Sequence, residues 1–195
     1  MPPKVKITKE DIINSAIEII RKEGEVSLNA RSIASYLNCS TQPIFSNFTS
    51  MEELQNEIIT CAHKIYLSFL EDEAKSGRYP QYKAFGMAYI RFAKEECELF
   101  KILFMRDRKG EDFSPTADFE ESVQIIMKNC NLSYEKASLM HLEIWSCVHG
   151  IAVMLATSFL TLDWETVSDM ISDIYFGVRA RLMSKEQDNG SNLNR

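Results

Sequence analysis

Apolar residues recur every three or four positions along most of the chain, and this period predicts helices from end to end. The first helix covers residues 9–23, with Thr8 and Asp11 forming a capping pattern before it and Gly24 ending it. Six longer segments are predicted at residues 51–74, 81–94, 96–105, 116–129, 134–161 and 164–184. With two short helices before residue 50, the fold class is expected to be all-α, with about nine helices.

The two short helices lie between residues 26 and 50 and are joined by a tight polar turn. Ser27 is placed to cap the first, and Ser40 is placed to cap the second. Asn38 lies in the turn and tolerates the left-handed backbone conformation that such a turn requires. Their apolar positions are Ala30, Ile33, Ala34, Leu37, Ile44, Phe45 and Phe48. This arrangement is typical of a helix-turn-helix.

The second short helix is rich in small and polar side chains: Ser40, Thr41, Gln42, Ser46 and Asn47. Amides and hydroxyls offer donors and acceptors together, which is what recognition of base edges requires. A helix hairpin with a solvated polar face would have the same spacing. The pattern alone does not separate these two interpretations.

Composition narrows the class of protein. The chain has 195 residues, of which 45% are hydrophobic and 26% charged, and its 7 Gly and 5 Pro are too few for an all-β fold with frequent turns. The net charge of −6 argues, as an average, against nucleic acid. Residues 1–50 nevertheless carry six basic against five acidic groups, and Arg31 is the only charge in residues 26–50.

Cysteine usage and hydropathy indicate a cytoplasmic protein. The five cysteines include no C-x-x-C pair, which favours free thiols in a reducing compartment, and the N-terminus has no apolar signal segment. Residues 144–162 are uncharged and long enough to cross a membrane. Their several polar residues and acidic flanks favour a helix buried in protein, so no membrane association is expected.

From about Lys6 to Leu54 the chain resembles the TetR family of bacterial transcriptional regulators. The resemblance rests on residues 12–20 of the first helix, Ser27, Ile33-Ala34, the turn 38–40, Ile44-Phe45-x-x-Phe48 and residues 50–54. It implies a homodimer bound to an inverted-repeat DNA operator, and a repressor that a small-molecule effector releases. The DNA-binding residues it implies are Lys6, Ser27, Arg31, Ser40, Thr41, Gln42, Phe45, Ser46 and Asn47.

Three positions depart from the family pattern. Phe45 stands where the family usually has a Tyr that reaches a phosphate, Asn47 where it usually has His, and Met51 where it usually has a phosphate-binding Lys. One or two backbone contacts are therefore expected to be missing. Affinity should depend more on the remaining groups, which are Lys4, Lys6, Lys9, Ser27 and Arg31.

Trp145, His149 and Gly150 resemble the Trp-x-x-x-His-Gly (WHG) signature of one C-terminal subfamily of these regulators. Trp145 and His149 are one turn apart on a single helix face, so they form either part of the core or the wall of a ligand pocket. The predicted pocket residues are Phe92, Phe100, Phe104, Trp145 and His149. A dimer interface is predicted on the last two helices, at Leu155, Val167, Met170, Ile171, Ile174 and Val178.

The predicted organisation is a DNA-binding domain at residues 1–50, a ligand-binding and dimerisation domain at residues 51–184, and a disordered tail at residues 185–195. No cofactor is expected, and no metal site, because His141 and His149 are two helical turns apart without a third ligand between them. Catalysis is not expected either. The alternative function is a helical interaction or enzyme-like domain with a vestigial DNA-binding module.

Overall fold

A computed structural model describes residues 7–107, 109 and 117–192, with side chains to Ser184 in the last helix. This part of the chain contains no strand and nine α-helices, which confirms the predicted fold class. They are α1 (Lys9–Glu23), α2 (Ala30–Tyr36), α3 (Gln42–Asn47), α4 (Met51–Ser76), α5 (Gln81–Glu95), α6 (Cys97–Phe104), α7 (Ala117–Cys130), α8 (Tyr134–Ala156) and α9 (Trp164–Asn192). A 3₁₀ turn, Glu25–Ser27, lies between α1 and α2.

The start of α1 has the predicted capping box. The backbone N–H of Asp11 donates to the Thr8 hydroxyl at 3.1 Å, and the backbone N–H of Thr8 donates to the Asp11 carboxylate at 2.8 Å. These hydrogen bonds lower the pKa of Asp11. Gly24 ends the helix with a φ of 78°, a value that glycine adopts without a steric cost.

The caps of the two short helices differ from the prediction. Asn29 caps α2, with its side-chain oxygen accepting from the backbone N–H groups of Arg31 and Ser32, both at 3.0 Å. Ser27 is in the 3₁₀ turn instead, because that turn delays the start of the helix. Thr41, not Ser40, precedes α3, and neither side chain caps it. Pro43 in the first turn has no N–H for a cap to bind.

The last two helices end at other residues than predicted. α8 stops at Ala156 instead of residue 161, because the Thr157 hydroxyl donates to the Val153 carbonyl and Ser158 takes a left-handed conformation. α9 continues to Asn192, so the backbone of residues 185–192 is helical where a disordered tail was expected. Lys, Glu and Gln in this stretch are strong helix formers. Residues 193–195 lie outside the described part.

The helices pack into two compact units, with the division falling within α4. The first, here called the N-terminal unit, is Met1–Ser68 with Glu95–Asp107, and the C-terminal unit is Phe69–Lys94 with Arg108–Arg195. The packing of the N-terminal unit thus includes α6 and most of α4 besides the helix-turn-helix. Its buried side chains include Ile12, Ile20, Ile33, Ile44, Phe48, Leu54, Ile58, Leu99 and Phe100.

In the C-terminal unit, α8 packs against both α7 and α9. The buried residues of α8 are Ala137, Met140, Ile144, Val148, Ile151, Ala152 and Ala156. Within the described residues, α8 is also the one helix long and apolar enough to cross a membrane, a property that core helices of soluble proteins share. Its neighbours on two sides fit the expected helix buried in protein.

A buried carboxylate joins α4 to α5 in the same unit. Glu73 is 3% exposed, and its side chain pairs with Arg91 at 3.1 Å and with Arg78 at 3.4 Å. The Arg91 guanidinium also lies 4.9 Å from the centre of the Phe69 ring. Because removing one partner of a buried pair leaves an uncompensated charge, these contacts fix the end of α4 against α5.

Candidate nucleic-acid interface

The predicted helix-turn-helix is formed by α2, a left-handed turn and α3. Asn38 has a φ of 52°, and the N–H of Cys39 donates to the Ala34 carbonyl at 2.9 Å, which closes α2. α3 packs inward through Ile44, and the following Phe48 is buried as well. The opposite side of α3 is therefore free to contact another molecule.

Gln42 and Phe45 form the exposed side of α3. They are three residues apart and so lie on one helix face. The Gln42 amide makes no hydrogen bond with another described residue, and the Phe45 ring is 54% exposed. Ser46 is also exposed, but its hydroxyl donates to the Gln42 carbonyl at 2.9 Å. An amide and an aromatic ring are therefore what α3 offers to a partner.

Asn47 has a different role from the predicted one. It is half-buried, and its amide nitrogen donates to the Pro43 carbonyl at 2.8 Å and to the Ile7 carbonyl at 3.4 Å. Because contact with an adenine needs the amide donor together with the oxygen, this side chain does not offer the required pair. Its position next to the buried Phe48 was the available signal in the sequence.

Two cations of α1 are held by carboxylates. Lys9 pairs with Glu53 at 3.3 Å, and Arg21 pairs with Glu96 at 2.6 Å and with Glu18 at 2.7 Å. Arg31 is exposed on α2 and pairs with no carboxylate of the described residues. Lys4 and Lys6, predicted to contact DNA, lie outside those residues. Arg31 is thus the available cation of the helix-turn-helix.

The start of α4 is capped by side chains. The backbone N–H of Glu53 donates to the Ser50 hydroxyl at 3.1 Å, and the Glu53 carboxylate accepts from the N–H of Thr49 at 2.6 Å. It also accepts from the Thr49 hydroxyl at 2.7 Å and from Lys9. These bonds lower the pKa of Glu53 to about 2. The carboxylate therefore fixes the junction between α3 and α4.

Comparison with known proteins finds similar proteins by sequence and by structure. No family model matches the chain. An uncharacterized HTH-type transcriptional regulator of Mycobacterium tuberculosis is 22% identical over 90% of this chain and 84% of its own length. A TetR-like transcriptional regulator from a Rhodococcus species superposes with a TM-score of 0.64 at 12% identity, over 90% of this chain and 96% of that one.

The second neighbour is a putative TetR family regulator from Vibrio parahaemolyticus, with a TM-score of 0.61 at 15% identity, over 85% of this chain and 95% of that one. The fold is that of the TetR-like transcriptional regulators. All three proteins are described as transcriptional regulators. These descriptions support the function of a DNA-binding regulator.

The residues predicted to line a ligand pocket divide between the two units of the chain. Phe100 and Phe104 belong to the N-terminal unit, and Phe92, Trp145 and His149 to the C-terminal unit. Phe92 and Phe100 are fully buried in this structure, where the Phe92 ring meets the edge of Phe69 at 5.4 Å and the Phe100 ring lies 5.3 Å from Phe104. Both phenylalanines are therefore core side chains.

Trp145 and His149 form the stacked pair that their spacing predicts. Their ring centres are 5.1 Å apart at an interplanar angle of 16°, and Trp145 is 40% exposed. The Tyr89 hydroxyl lies 2.8 Å from the Nδ1 atom of His149. Partial burial lowers the pKa of His149, which favours the neutral imidazole. Tyr89, which holds this imidazole in place, was missed by the sequence analysis.

A second polar cluster inside the C-terminal unit was also missed. The Tyr82 hydroxyl lies 2.9 Å from the Nδ1 atom of His141, whose ring meets Phe119 edge-on at 4.8 Å. The Tyr175 hydroxyl lies 3.3 Å from the sulfur of Cys130. Burial lowers the pKa of His141 to about 4 and raises that of Tyr175 to about 12. The His141 imidazole and the Tyr175 phenol are therefore neutral at physiological pH.

Two residues predicted for the dimer interface are buried within the protomer. Val167 and Ile171 are 0% and 3% exposed, because this side of α9 faces the core of its own unit. Leu155, Met170, Ile174 and Val178 are half-buried. The exposed large hydrophobic side chains of α8 and α9, among the residues described, are instead Tyr134, Leu139, Leu142, Trp145, Trp164, Phe176 and Met183. Periodicity alone did not separate the inner face of these helices from the outer face.

Proposed function

We propose that this chain is a homodimeric transcriptional repressor that binds an inverted-repeat operator and leaves it when a small molecule binds the C-terminal unit. The observation that carries the proposal is the exposed Gln42 on α3 of a helix-turn-helix, in a chain with a TetR-like fold. A Gln amide can donate and accept at the edge of an adenine in the major groove. α3 is therefore the proposed reading helix.

The DNA backbone would be bound by few groups. Arg31 supplies an exposed guanidinium, whereas Lys9 and Arg21 are paired with carboxylates. Thr41 and Ser40 offer hydroxyls at the start of α3. Affinity would thus depend on base contacts more than on charge, in line with the missing phosphate ligands at positions 45 and 51.

Dimerisation is proposed through the outer faces of α8 and α9. Leu142, Trp145 and Phe176 are exposed there, and Arg181 pairs with Glu143 to join the two helices. Two helices from each protomer can form a four-helix bundle about a two-fold axis. Such a dimer presents two copies of α3, which matches an operator of two inverted half-sites.

Effector binding is proposed in the C-terminal unit. Its interior combines apolar walls with a few oriented polar groups, above all the Tyr82–His141 and Tyr89–His149 pairs, which is the chemistry of small-molecule sites. Phe92 is enclosed, so a ligand touching it would have to separate its neighbours. Release from DNA then requires that the ligand binds the two conformations with different affinity. We assign the Trp145–His149 stack to the WHG subfamily signature.

The test is binding of duplex DNA from the region upstream of the chain's own gene, measured by fluorescence anisotropy at several salt concentrations. Specific binding should weaken with salt, with a shallow slope because few free cations are available to contact phosphates. Gln42→Ala should weaken binding by about 1–3 kcal/mol, the value of a lost base contact. Gln124→Ala, an exposed glutamine on α7, is the matched control and should bind normally. Equal affinities of the wild type, Gln42→Ala and Gln124→Ala would exclude α3 as the reading helix.

The alternative is a helical interaction or enzyme-like domain that has lost DNA binding. The net charge of −6 and the carboxylate-paired Lys9 and Arg21 favour it. It predicts no sequence preference among duplexes and no effect of Gln42→Ala on binding. The same anisotropy experiment therefore separates the two functions.

A further inference from the structure

We propose that Phe45 recognises the methyl group of a thymine in the operator, beside an adenine contacted by Gln42. The inference rests on the proposed function and adds a specificity determinant to it. It concerns a position where the sequence departs from the family pattern by lacking a hydroxyl.

The environment of Phe45 is the first step. Its ring is 54% exposed on a six-residue helix, next to the buried Ile44. Among the described residues it has no stacked ring and no cation over its face. The side chain therefore contributes little to the core of the N-terminal unit, and its apolar surface is available to a partner.

The chemistry of a phenyl ring limits what it can recognise. It has no donor or acceptor, so it cannot hydrogen-bond to a phosphate or to a base edge. The C5-methyl of thymine is the apolar group that the major groove presents, and Phe is one of the side chains suited to contact it. A ring placed in the groove would therefore favour thymine over the other bases.

The spacing of Gln42 and Phe45 on α3 determines which base pairs the two side chains can reach. Gln42 and Phe45 are three residues apart, which places their Cβ atoms roughly 5–6 Å from each other. Adjacent base pairs are separated by about 3.4 Å along the DNA axis. The two side chains can therefore reach the same or neighbouring base pairs, one binding an adenine and the other a thymine methyl. Asn47 cannot replace Gln42, since its amide is bound to the Pro43 and Ile7 carbonyls.

The test removes the methyl from the DNA. A preferred duplex is first selected from a random-sequence pool with the full-length wild-type chain. Each thymine of that duplex is then replaced singly by deoxyuridine, which pairs identically but lacks the C5-methyl. We expect a loss of about 3- to 10-fold in affinity at one thymine of each half-site, the size expected for burying one methyl group.

Variants of Phe45 test whether this residue contacts the thymine methyl group. Phe45→Ala should bind the thymine and deoxyuridine duplexes equally well, and Phe45→Leu should retain part of the difference. Phe159→Ala, at a phenylalanine 75% exposed in the C-terminal unit, should keep the full difference. Thermal unfolding of each variant checks that its fold is intact, as expected for exposed positions.

Two results would overturn the inference while leaving the proposed function in place. One is a selected duplex in which no deoxyuridine substitution weakens wild-type binding, which would show that no thymine methyl contributes to affinity. The other is a Phe45→Ala protein that still distinguishes the two duplexes, which would assign the methyl to another residue. Failure to select any duplex would be a different outcome, because it would refute DNA binding and this inference with it.

Discussion

Asn47 and Gln42 carry the same amide group on α3, but only the Asn47 amide is bound within the protein. We therefore predict that Asn47→Ala lowers the free energy of unfolding by about 0.5–1.5 kcal/mol, the net value of an internal hydrogen bond. Gln42→Ala should change it by less than about 0.5 kcal/mol, as exposed substitutions usually do. Urea denaturation measures both. Unchanged stability of Asn47→Ala together with lost sequence preference would restore its reading role.

Arg31 allows a prediction about charge. It is the exposed arginine of α2 that has no carboxylate partner among the described residues. Arg31→Ala should weaken binding to all duplexes alike and lower the slope of log affinity against log salt by about 1, the effect of one lost phosphate contact. Lys128→Ala, which removes one exposed charge from α7, is the control. An unchanged slope for Arg31→Ala would mean that other groups bind the backbone.

At the scale of the helices, the cap of α2 distinguishes two neighbouring polar residues. Asn29 accepts from two backbone N–H groups, whereas the Ser27 hydroxyl donates to the Glu23 carbonyl at 3.3 Å. Asn29→Ala should therefore destabilise the chain by about 1 kcal/mol. Ser27→Ala should have a smaller effect. Thermal unfolding measures the stability of both variants. A larger loss of stability for Ser27→Ala than for Asn29→Ala would contradict the observed cap.

The cap of α4 predicts a pH dependence. Hydrogen bonds from Thr49 and Lys9 lower the folded-state pKa of Glu53 from 4.5 to about 2. As the pH falls, the unfolded chain takes up this proton first, so the stabilisation is complete above pH 4.5 and is lost as the pH falls toward 2. The wild-type melting temperature should fall more steeply over this range than that of Glu53→Gln. Glu57→Gln, an exposed glutamate of the same helix, should behave like wild type.

The sequence predicted those features whose determining residues lie close together along the chain. The limits of α1 and its Thr8–Asp11 cap were predicted, since residues three apart determine them. The cap of α2 was not, because a 3₁₀ turn decided between Ser27 and Asn29. The Tyr82–His141 contact joins residues 59 apart, which no local pattern specifies. The period of α9 likewise could not tell which apolar face meets the protein's own core.

At the scale of the whole molecule, the outer face of α9 allows a test of the proposed dimer. Phe176 is 60% exposed in the single chain. Phe176→Asp should give monomers with an intact fold, because the new charge would be buried only in the dimer. Sedimentation velocity measures the change, and the monomers should no longer bind an inverted repeat. Phe159→Asp is the control at another exposed phenylalanine. An unchanged dimer would exclude this part of α9 from the interface.

The pairing of Lys9 and Arg21 with carboxylates has a consequence for how such a regulator would search a chromosome. A genome offers about 10⁶–10⁹ competing sites, which bind a protein mainly through its free cations. A reading unit in which Lys9 and Arg21 are already neutralised, and Arg31 is the available cation, would spend little time on these sites. Few molecules would then be sequestered by bulk DNA, and a small number of copies per cell would suffice to keep one operator occupied.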